Sequence, residues 1–335
     1  MKTLKFIVAL IVLGLTFSAC RKDAPKIDGP SLEELNGGFS IVDPFYVSRD
    51  SVDFSAGETV YFTCGMSKTS NWKITITGQT SGAVKELTGT SKTITMNDAL
   101  WNGSTSQLPM FRNELCDIQL TFEGESDTLV DQVKIKGIKA NAGYVIADFE
   151  NGFNSGWGSF IQSGANMDFQ IKTDNFAPQG DDYLNMAGTV NWDWLIGLIN
   201  FKASADGFVT YPLNANGNNV YFNAMIYGEP GLINSIVLFQ FQEDENGDGT
   251  FTATSDDQYD VEIKVDWVGW KLISIKYSDL ATLVNGAPST PNGNQQHNPN
   301  KIKQINMLHL ANPSSGPAKT KLDYIIFTEN GPLNP

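Results

Sequence analysis

The chain has 335 residues and a formal net charge of −14, which excludes nucleic acid as a partner, because binding a phosphate backbone needs a basic patch. Its two histidines cannot build a three-histidine zinc site and leave little for a Ser-His-Asp triad. Glycine, asparagine, threonine and aromatic residues are plentiful and long amphipathic helical patterns are missing, so the expected fold class is all-β.

Residues 1–19 read as a targeting segment rather than as structure. Lys2 and Lys5 form a positive start, Phe6 to Phe17 is apolar but short for a membrane span, and Ser18-Ala19-Cys20 follows. Small residues directly before a cysteine resemble the lipobox of bacterial lipoproteins. That resemblance implies cleavage before Cys20 and acyl chains on its thiol, anchoring the protein in an outer membrane, facing the cell surface. Residues 20–35, with Arg21-Lys22-Asp23, Pro25 and Pro30, have the composition of a flexible tether.

Residues 36–139 carry short strands separated by turns. Trp72, Ile74 and Ile76 alternate with Lys73, Thr75 and Thr77, and Ile118, Leu120 and Phe122 with Asp117, Gln119 and Thr121. The pattern predicts a small sandwich of the immunoglobulin-like kind. Cys64 and Cys116 remain once Cys20 is lipidated. Outside the cytosol an even pair forms a disulfide or stays as two buried thiols, and both readings stand open. This region has no histidine and no ordered carboxylate pair, and it resembles the immunoglobulin-like or PKD-like modules, a resemblance that implies a spacer. The small residues Lys139 to Gly143 mark the boundary.

Residues 144–331 hold longer, more apolar strands. In Asn219–Tyr227 one face carries Val220, Phe222, Ala224 and Ile226, and the other Tyr221, Asn223, Met225 and Tyr227. In Asn234–Gln242, Val237, Phe239 and Phe241 oppose Ile236, Leu238, Gln240 and Gln242. Tyr221, Asn223 and Tyr227 beside Gln240 and Gln242 make a platform suited to sugar, since amides and hydroxyls pair with sugar hydroxyls and aromatic faces stack on a pyranose. Trp157, Trp192 and Trp194 are candidate stacking residues; the last two share a face of an extended chain. Asp244, Asn246 and Asp248 have the spacing of a calcium loop, but its twelfth position is Ser255 and its flanks are strands. As a turn it could still bind calcium, helped by Asp256 or Asp257, but an Asx-rich hairpin tip is the preferred reading. The stretch 284–300 reads as a loop bordering a site.

Three segments in this region carry a resemblance. Ala147-Asp148-Phe149-Glu150-Asn151-Gly152 with Trp157, Gly269-Trp270-Lys271-Leu272-Ile273-Ser274-Ile275, and Lys321-Leu322-Asp323-Tyr324-Ile325-Ile326-Phe327 resemble, in order, the strands of galactose-binding-like jelly-roll carbohydrate-binding modules. With the spacer and lipobox, the whole chain resembles Bacteroidetes surface glycan-binding lipoproteins of the Sus type. The resemblance implies an immunoglobulin-like sandwich followed by a larger jelly roll, with Trp270 in the core. It implies non-catalytic capture of a polysaccharide or oligosaccharide, work beside a glycan transporter complex, and a structural calcium near Glu150 and Asp323. Two other classes stay in play. A glycoside hydrolase or polysaccharide lyase would need a carboxylate pair such as Asp148 with Glu150 or Glu262 with Asp266. An adhesion or assembly protein would need an exposed apolar patch for a protein partner.

Overall fold

The computed structural model describes residues 37–190 and 194–335. The expected signal segment, the lipidated Cys20, its tether and Trp192 lie outside the described residues. Those residues are all-β: twenty strands and six short 3-10 turns, with no α-helix among them.

The first seven strands are β1 (Ile41–Val47), β2 (Ser51–Asp53), β3 (Val60–Gly78), β4 (Val84–Ile94), β5 (Leu100–Trp101), β6 (Leu115–Phe122) and β7 (Thr128–Gly137). They form one connected sheet, because the long strand β3 serves two neighbourhoods. Its first half pairs with β1, β5 and the end of β4, and its second half, beyond an irregularity between Gly65 and Ser70, pairs with the rest of β4 and with β6. The alternation in β3 and β6 turns Trp72, Ile74, Ile76, Ile118 and Leu120 inward, where all are buried. Trp101 fills the end of this core, edge-on to Phe54 and Phe111 at 4.8 and 4.9 Å.

Cys64 and Cys116 are both buried and both free thiols, so the disulfide reading is corrected. Cys64 lies opposite Ile94 in the first half of β3, whereas Cys116 lies opposite Gly78 at its far end. Burial drives both thiols above their ordinary pKa, which keeps them protonated and inert.

The remaining strands are β8 (Tyr144–Ala147), β9 (Gly158–Ile161), β10 (Asn166–Thr173), β11 (Asp182–Thr189), β12 (Leu195–Lys202), β13 (Val220–Gly228), β14 (Ile236–Glu243), β15 (Gln258–Lys264), β16 (Gly269–Lys276), β17 (Thr282–Val284), β18 (Ala287–Ser289), β19 (Ile302–Leu310) and β20 (Ala318–Glu329). Two sheets pack face to face. One runs β10-β11-β20-β13-β16 with β8 added beside β20; the other runs β15-β14-β19-β12-β9. Between them lie Phe222 from the first sheet and Phe239 and Phe241 from the second, with ring centroids 4.7 and 4.9 Å apart. Each buried phenylalanine contributes about 2–3 kcal/mol by leaving water.

The two halves of the chain touch. Leu108 and Met110 join Met225, Tyr324, Ile326, Trp270, Leu272 and Leu333 in an apolar cluster on the outer face of the six-stranded sheet. Met110 N donates to Pro178 O at 2.7 Å. The Arg112 guanidinium donates to Asp181, Asn175 and Ala177 O at 2.9, 3.1 and 3.2 Å. Trp270, expected in the core, instead sits on this outer face, because it is the register partner of Tyr227 on β13 and points with it away from the phenylalanines.

His309 on β19 is fully buried and neither ring nitrogen has a partner. Burial pushes its pKa down to about 3, against about 6.5 in an unfolded chain. Between those values only the unfolded chain binds the proton, so stability is intact above about pH 6.5 and falls as pH drops, by about 1.4 kcal/mol per pH unit. His309→Leu is expected to remove that slope in denaturant titrations run from pH 6.5 to pH 4. An unchanged slope would show that His309 is protonated in the folded protein.

Candidate ligand groove

Because Val237, Phe239 and Phe241 face the core, β14 turns Ile236, Leu238, Gln240 and Gln242 outward. Its neighbours repeat the pattern, and the antiparallel register aligns them in rows across the sheet. Ile236 lies level with Leu310 and Leu195, and Leu238 with Glu262, Leu308 and Leu198. The next row is Asp260, Gln240, Asn306 and Asn200, and the last is Gln258, Gln242, Gln304 and Lys202. The face is therefore divided: one half largely aliphatic, with Glu262 and Lys264 at its β15 edge, the other made of amides, a lysine and a carboxylate.

A groove of about 620 Å³ runs over this face, floored by Ile236, Leu238, Gln240, Leu308 and Leu310, with Trp194 at its margin. Trp194 is 48% exposed. The far wall is the β17–β18 hairpin, contributing Leu283, Asn285 and Gly286. That hairpin occupies part of the stretch expected to be loop. Asp260 holds it: Leu283 N donates to Asp260 Oδ2 at 2.8 Å, and Asp260 N donates to Ala281 O at 2.7 Å. Burial raises the Asp260 carboxyl to about 6, opposed by the hydrogen bonds from Leu283 N, Gln258 and Gln240.

The amides form a relay. Gln304 donates to Asn306 at 2.6 Å and to Gln242 at 3.3 Å, Gln242 donates to Gln258 at 3.1 Å, and Gln258 donates to Asp260 at 3.0 Å. Each of these groups is fixed in orientation by its neighbour. Asn200 Oδ1, in the same rows, is buried and has no hydrogen-bond partner, which leaves an acceptor unmet on a polar face.

Two expectations from the sequence are corrected here, the shared platform and Asn223 as a ligand residue. Strands β13 and β14 lie in opposite sheets, so Tyr221, Asn223 and Tyr227 share no platform with Gln240 and Gln242. Asn223 is fully buried: it donates to Ile326 O (3.1 Å) and Thr328 Oγ1 (3.0 Å), and accepts from Leu333 N (3.0 Å) and from Ser274 Oγ. Tyr227 belongs to a cluster with Phe176 and Trp270, with the Lys321 ammonium 4.2 Å from its ring centre, and Tyr221 is half-buried on the same outer side. Trp157 wedges edge-on against Phe201 at 4.8 Å and against Phe149 and Phe153, as part of the core's margin. It also lines a second hollow with Phe160 and Ile161.

The Asp244–Asp248 tip is closed by its own hydrogen bonds. Asp244 takes Gly247 N and Gly249 N at 2.9 and 2.8 Å, Asn246 takes Asp248 N at 2.8 Å, and Asp248 takes Thr250 N at 2.7 Å. Asp244, Asn246 and Asp248 thus spend their oxygens on Asx turns rather than on a common point.

Glu150 and Asp323 come together near the 179–182 turn. Glu150 Oε1 accepts Asp181 N and Asp182 N, both at 2.9 Å, and Asp323 accepts Tyr324 N and Gln179 N at 2.7 and 3.3 Å. Phe149 and Tyr324, beside them, sit in the left-handed region at φ 61° and 43°, a cost accepted where a site dictates the backbone. Burial raises both carboxyls, and their mutual charge and that of Asp148 add to it at Asp323. Gln179 Oε1 and Asp182 Oδ1 are buried there without partners. The donor atoms here are all oxygens, the kind a hard cation takes.

No known family pattern matches the chain, and no curated protein matches it. Among solved structures it is similar to the family 11 carbohydrate-binding module of a cellulosomal cellulase of Clostridium thermocellum, at 18% identity and a TM-score of 0.39, over 57% of this chain and 96% of that one. It is also similar to the xylan-binding domain from Paenibacillus barcinonensis Xyn10C, at 14% identity and a TM-score of 0.30, over 57% of this chain and 97% of that one. A third is SGBP-B from a complex xyloglucan utilization locus in Bacteroides uniformis, at 11% identity and a TM-score of 0.34, over 87% of this chain and 73% of that one.

The opposite roles of two amides give a test. Asn223→Ala leaves several buried groups unmet and is expected to cost about 2–4 kcal/mol in a urea melt, while Gln240→Ala, on the half-exposed groove floor, is expected to stay within about 1 kcal/mol of the parent. Equal losses would contradict the burial assigned to the two positions.

Proposed function

We propose that the protein binds a neutral polysaccharide or oligosaccharide in the β14–β19 groove without transforming it. The observation that carries this reading is the division of the groove floor. An aliphatic strip of Ile236, Leu238, Leu308 and Leu310 suits the C–H face of a pyranose, and Gln240, beside rows of oriented amides that continue past the groove, suits its hydroxyls. Asp260 and Glu262 on one wall, within a chain of net charge −14, disfavour an anionic glycan. Catalysis is not favoured: Asp260 spends both oxygens on Leu283 N and Gln258, and Asp148 and Glu150 hold backbone amides.

The proposal extends to the setting. The N-terminal segment supports a lipoprotein anchored through Cys20 in an outer membrane at the cell surface, with residues 36–139 as spacer, delivering glycan to an uptake complex. It also includes a structural calcium held by Glu150 and Asp323 with the free oxygens of Gln179 and Asp182. Such an ion would supply the positive charge that keeps these carboxylates ionised while buried.

Affinity electrophoresis and calorimetry on neutral and acidic polysaccharides, with product analysis of the same mixtures, test the reading. Retention on a neutral glycan without new reducing or unsaturated ends is expected. Gln240→Ala and Trp194→Ala should each weaken binding about tenfold, or about 1.4 kcal/mol, and Tyr221→Ala by less than about twofold. New chain ends, or binding lost through Tyr221 or Tyr227 and untouched by the groove variants, would overturn it.

A further inference from the structure

The connection from β14 to β15 gathers three carboxylates away from both sites above. Glu243 ends β14, Glu245 stands two residues on, and Asp257 directly precedes β15. One carboxylate oxygen from each lies within 4.8 Å of those of the other two, a convergence found among the described residues only here. Glu243 and Asp257 are fully buried.

The oxygens are unevenly used. Glu243 Oε1 accepts Tyr277 Oη at 2.7 Å and Asn298 N at 2.9 Å, but its Oε2 is buried without a partner. Glu245 Oε2 accepts Lys301 Nζ at 2.6 Å and Asn294 Nδ2 at 2.5 Å, and its Oε1 is likewise buried without a partner. Asp257 accepts Gly293 N and Gln295 N at 2.6 and 2.7 Å. The Tyr259 hydroxyl, within electrostatic reach of all three carboxylates, is buried and unpartnered as well. Each carboxylate is thus anchored through one side or one pair of bonds, while free oxygens remain at the centre.

Charge gives the same answer. One lysine, Lys301, faces three carboxylates, and buried charge without compensation is strongly unfavourable. The donors are oxygens alone, with no histidine nitrogen or thiolate among the three acids, which selects a hard cation. A mostly carboxylate set of this size suits calcium, which accepts six to eight oxygens in flexible geometry.

We propose that Glu243, Glu245 and Asp257 bind a calcium ion that fastens the 293–298 segment to the β14–β15 connection. The segment already depends on these acids, since Gly293, Asn294, Gln295 and Asn298 all bond to them. This proposal is independent of whether the groove takes a glycan.

The test is calorimetric titration of chelator-treated protein with calcium and with magnesium chloride, plus terbium luminescence sensitised by Tyr259 and Tyr277. The parent is expected to bind calcium in preference to magnesium and to show tyrosine-sensitised emission. Glu243→Gln keeps the size and the acceptor for Tyr277, and should lose one calcium equivalent and most of the emission. Glu245→Gln, at a less buried position, should weaken the same equivalent at least tenfold and decides the matter if the first variant does not fold. Asp323→Asn should leave the emission in place, separating this ion from one at Glu150 and Asp323. No calcium uptake by the parent, or the same stoichiometry and affinity in both glutamine variants, would overturn the proposal and leave a proton shared between Glu243 and Glu245 as the compensating charge.

Discussion

The packing of Phe222 against Phe239 and Phe241 decides where a ligand can go. These rings come from the inward faces of β13 and β14 and press the two sheets together. Edge-to-face pairs of this kind add about 0.5–1.5 kcal/mol each beyond their burial. Once they meet, everything outward on β13 and everything outward on β14 must lie on opposite sides of the molecule. The first half of the chain then covers one side: Leu108 and Met110 close over Met225, Tyr324 and Ile326. The β14 side is left open, and it carries the groove.

This explains which part of the site was legible in the sequence. Strict alternation in 220–227 and 236–242 gave the face of every side chain, and the structure keeps each one on the face assigned. Alternation carries parity only. It does not say which sheet a strand joins, so Tyr221 and Gln240 looked like neighbours although the whole core separates them. Gln240 and Gln242 stood out because their strand alternates cleanly, and Trp194 because it directly precedes the apolar strand β12. Asn306, Gln304 and Asn200 complete the same rows, and their own strands alternate as well. They were missed because only the pairing register, a long-range property, lines them up with Gln240. Asp260 was missed for a related reason: its partner Leu283 belongs to a hairpin that the Pro- and Gly-rich composition of 284–300 disguised as loop.

The acidic residues repeat the lesson at shorter range. The spacing Asp244, Asn246, Asp248 attracted attention because it matches a known loop, yet these side chains curl back onto their own backbone. The flanking Glu243 and Glu245 are the ones that converge. Glu243 belongs by parity to the inward set of Val237, Phe239 and Phe241, so strand periodicity, carried one step past the last hydrophobic residue, places a glutamate inside the sandwich. A glutamate at a core position of a β-strand is a conflict between sequence and burial. Such conflicts persist when something outside the hydrophobic bookkeeping compensates the charge.

The two halves of the molecule are joined by more than a linker. Arg112 reaches Asp181, Asn175 and Ala177 O, and the 178–182 turn it grips also supplies Gln179 and Asp182 to the Glu150–Asp323 cluster. An ion in that cluster would therefore stiffen the turn on which the first module rests, and the docked module in turn seals the outer face of the six-stranded sheet. The direction in which the groove points is then fixed relative to residues 37–139, rather than left to swing on the short Lys139–Gly143 connection. If the groove takes a polysaccharide, as proposed, its fixed direction has a physical advantage. Little orientational freedom is lost when successive sugars settle along it, so modest contacts from aliphatic and amide side chains can hold a chain.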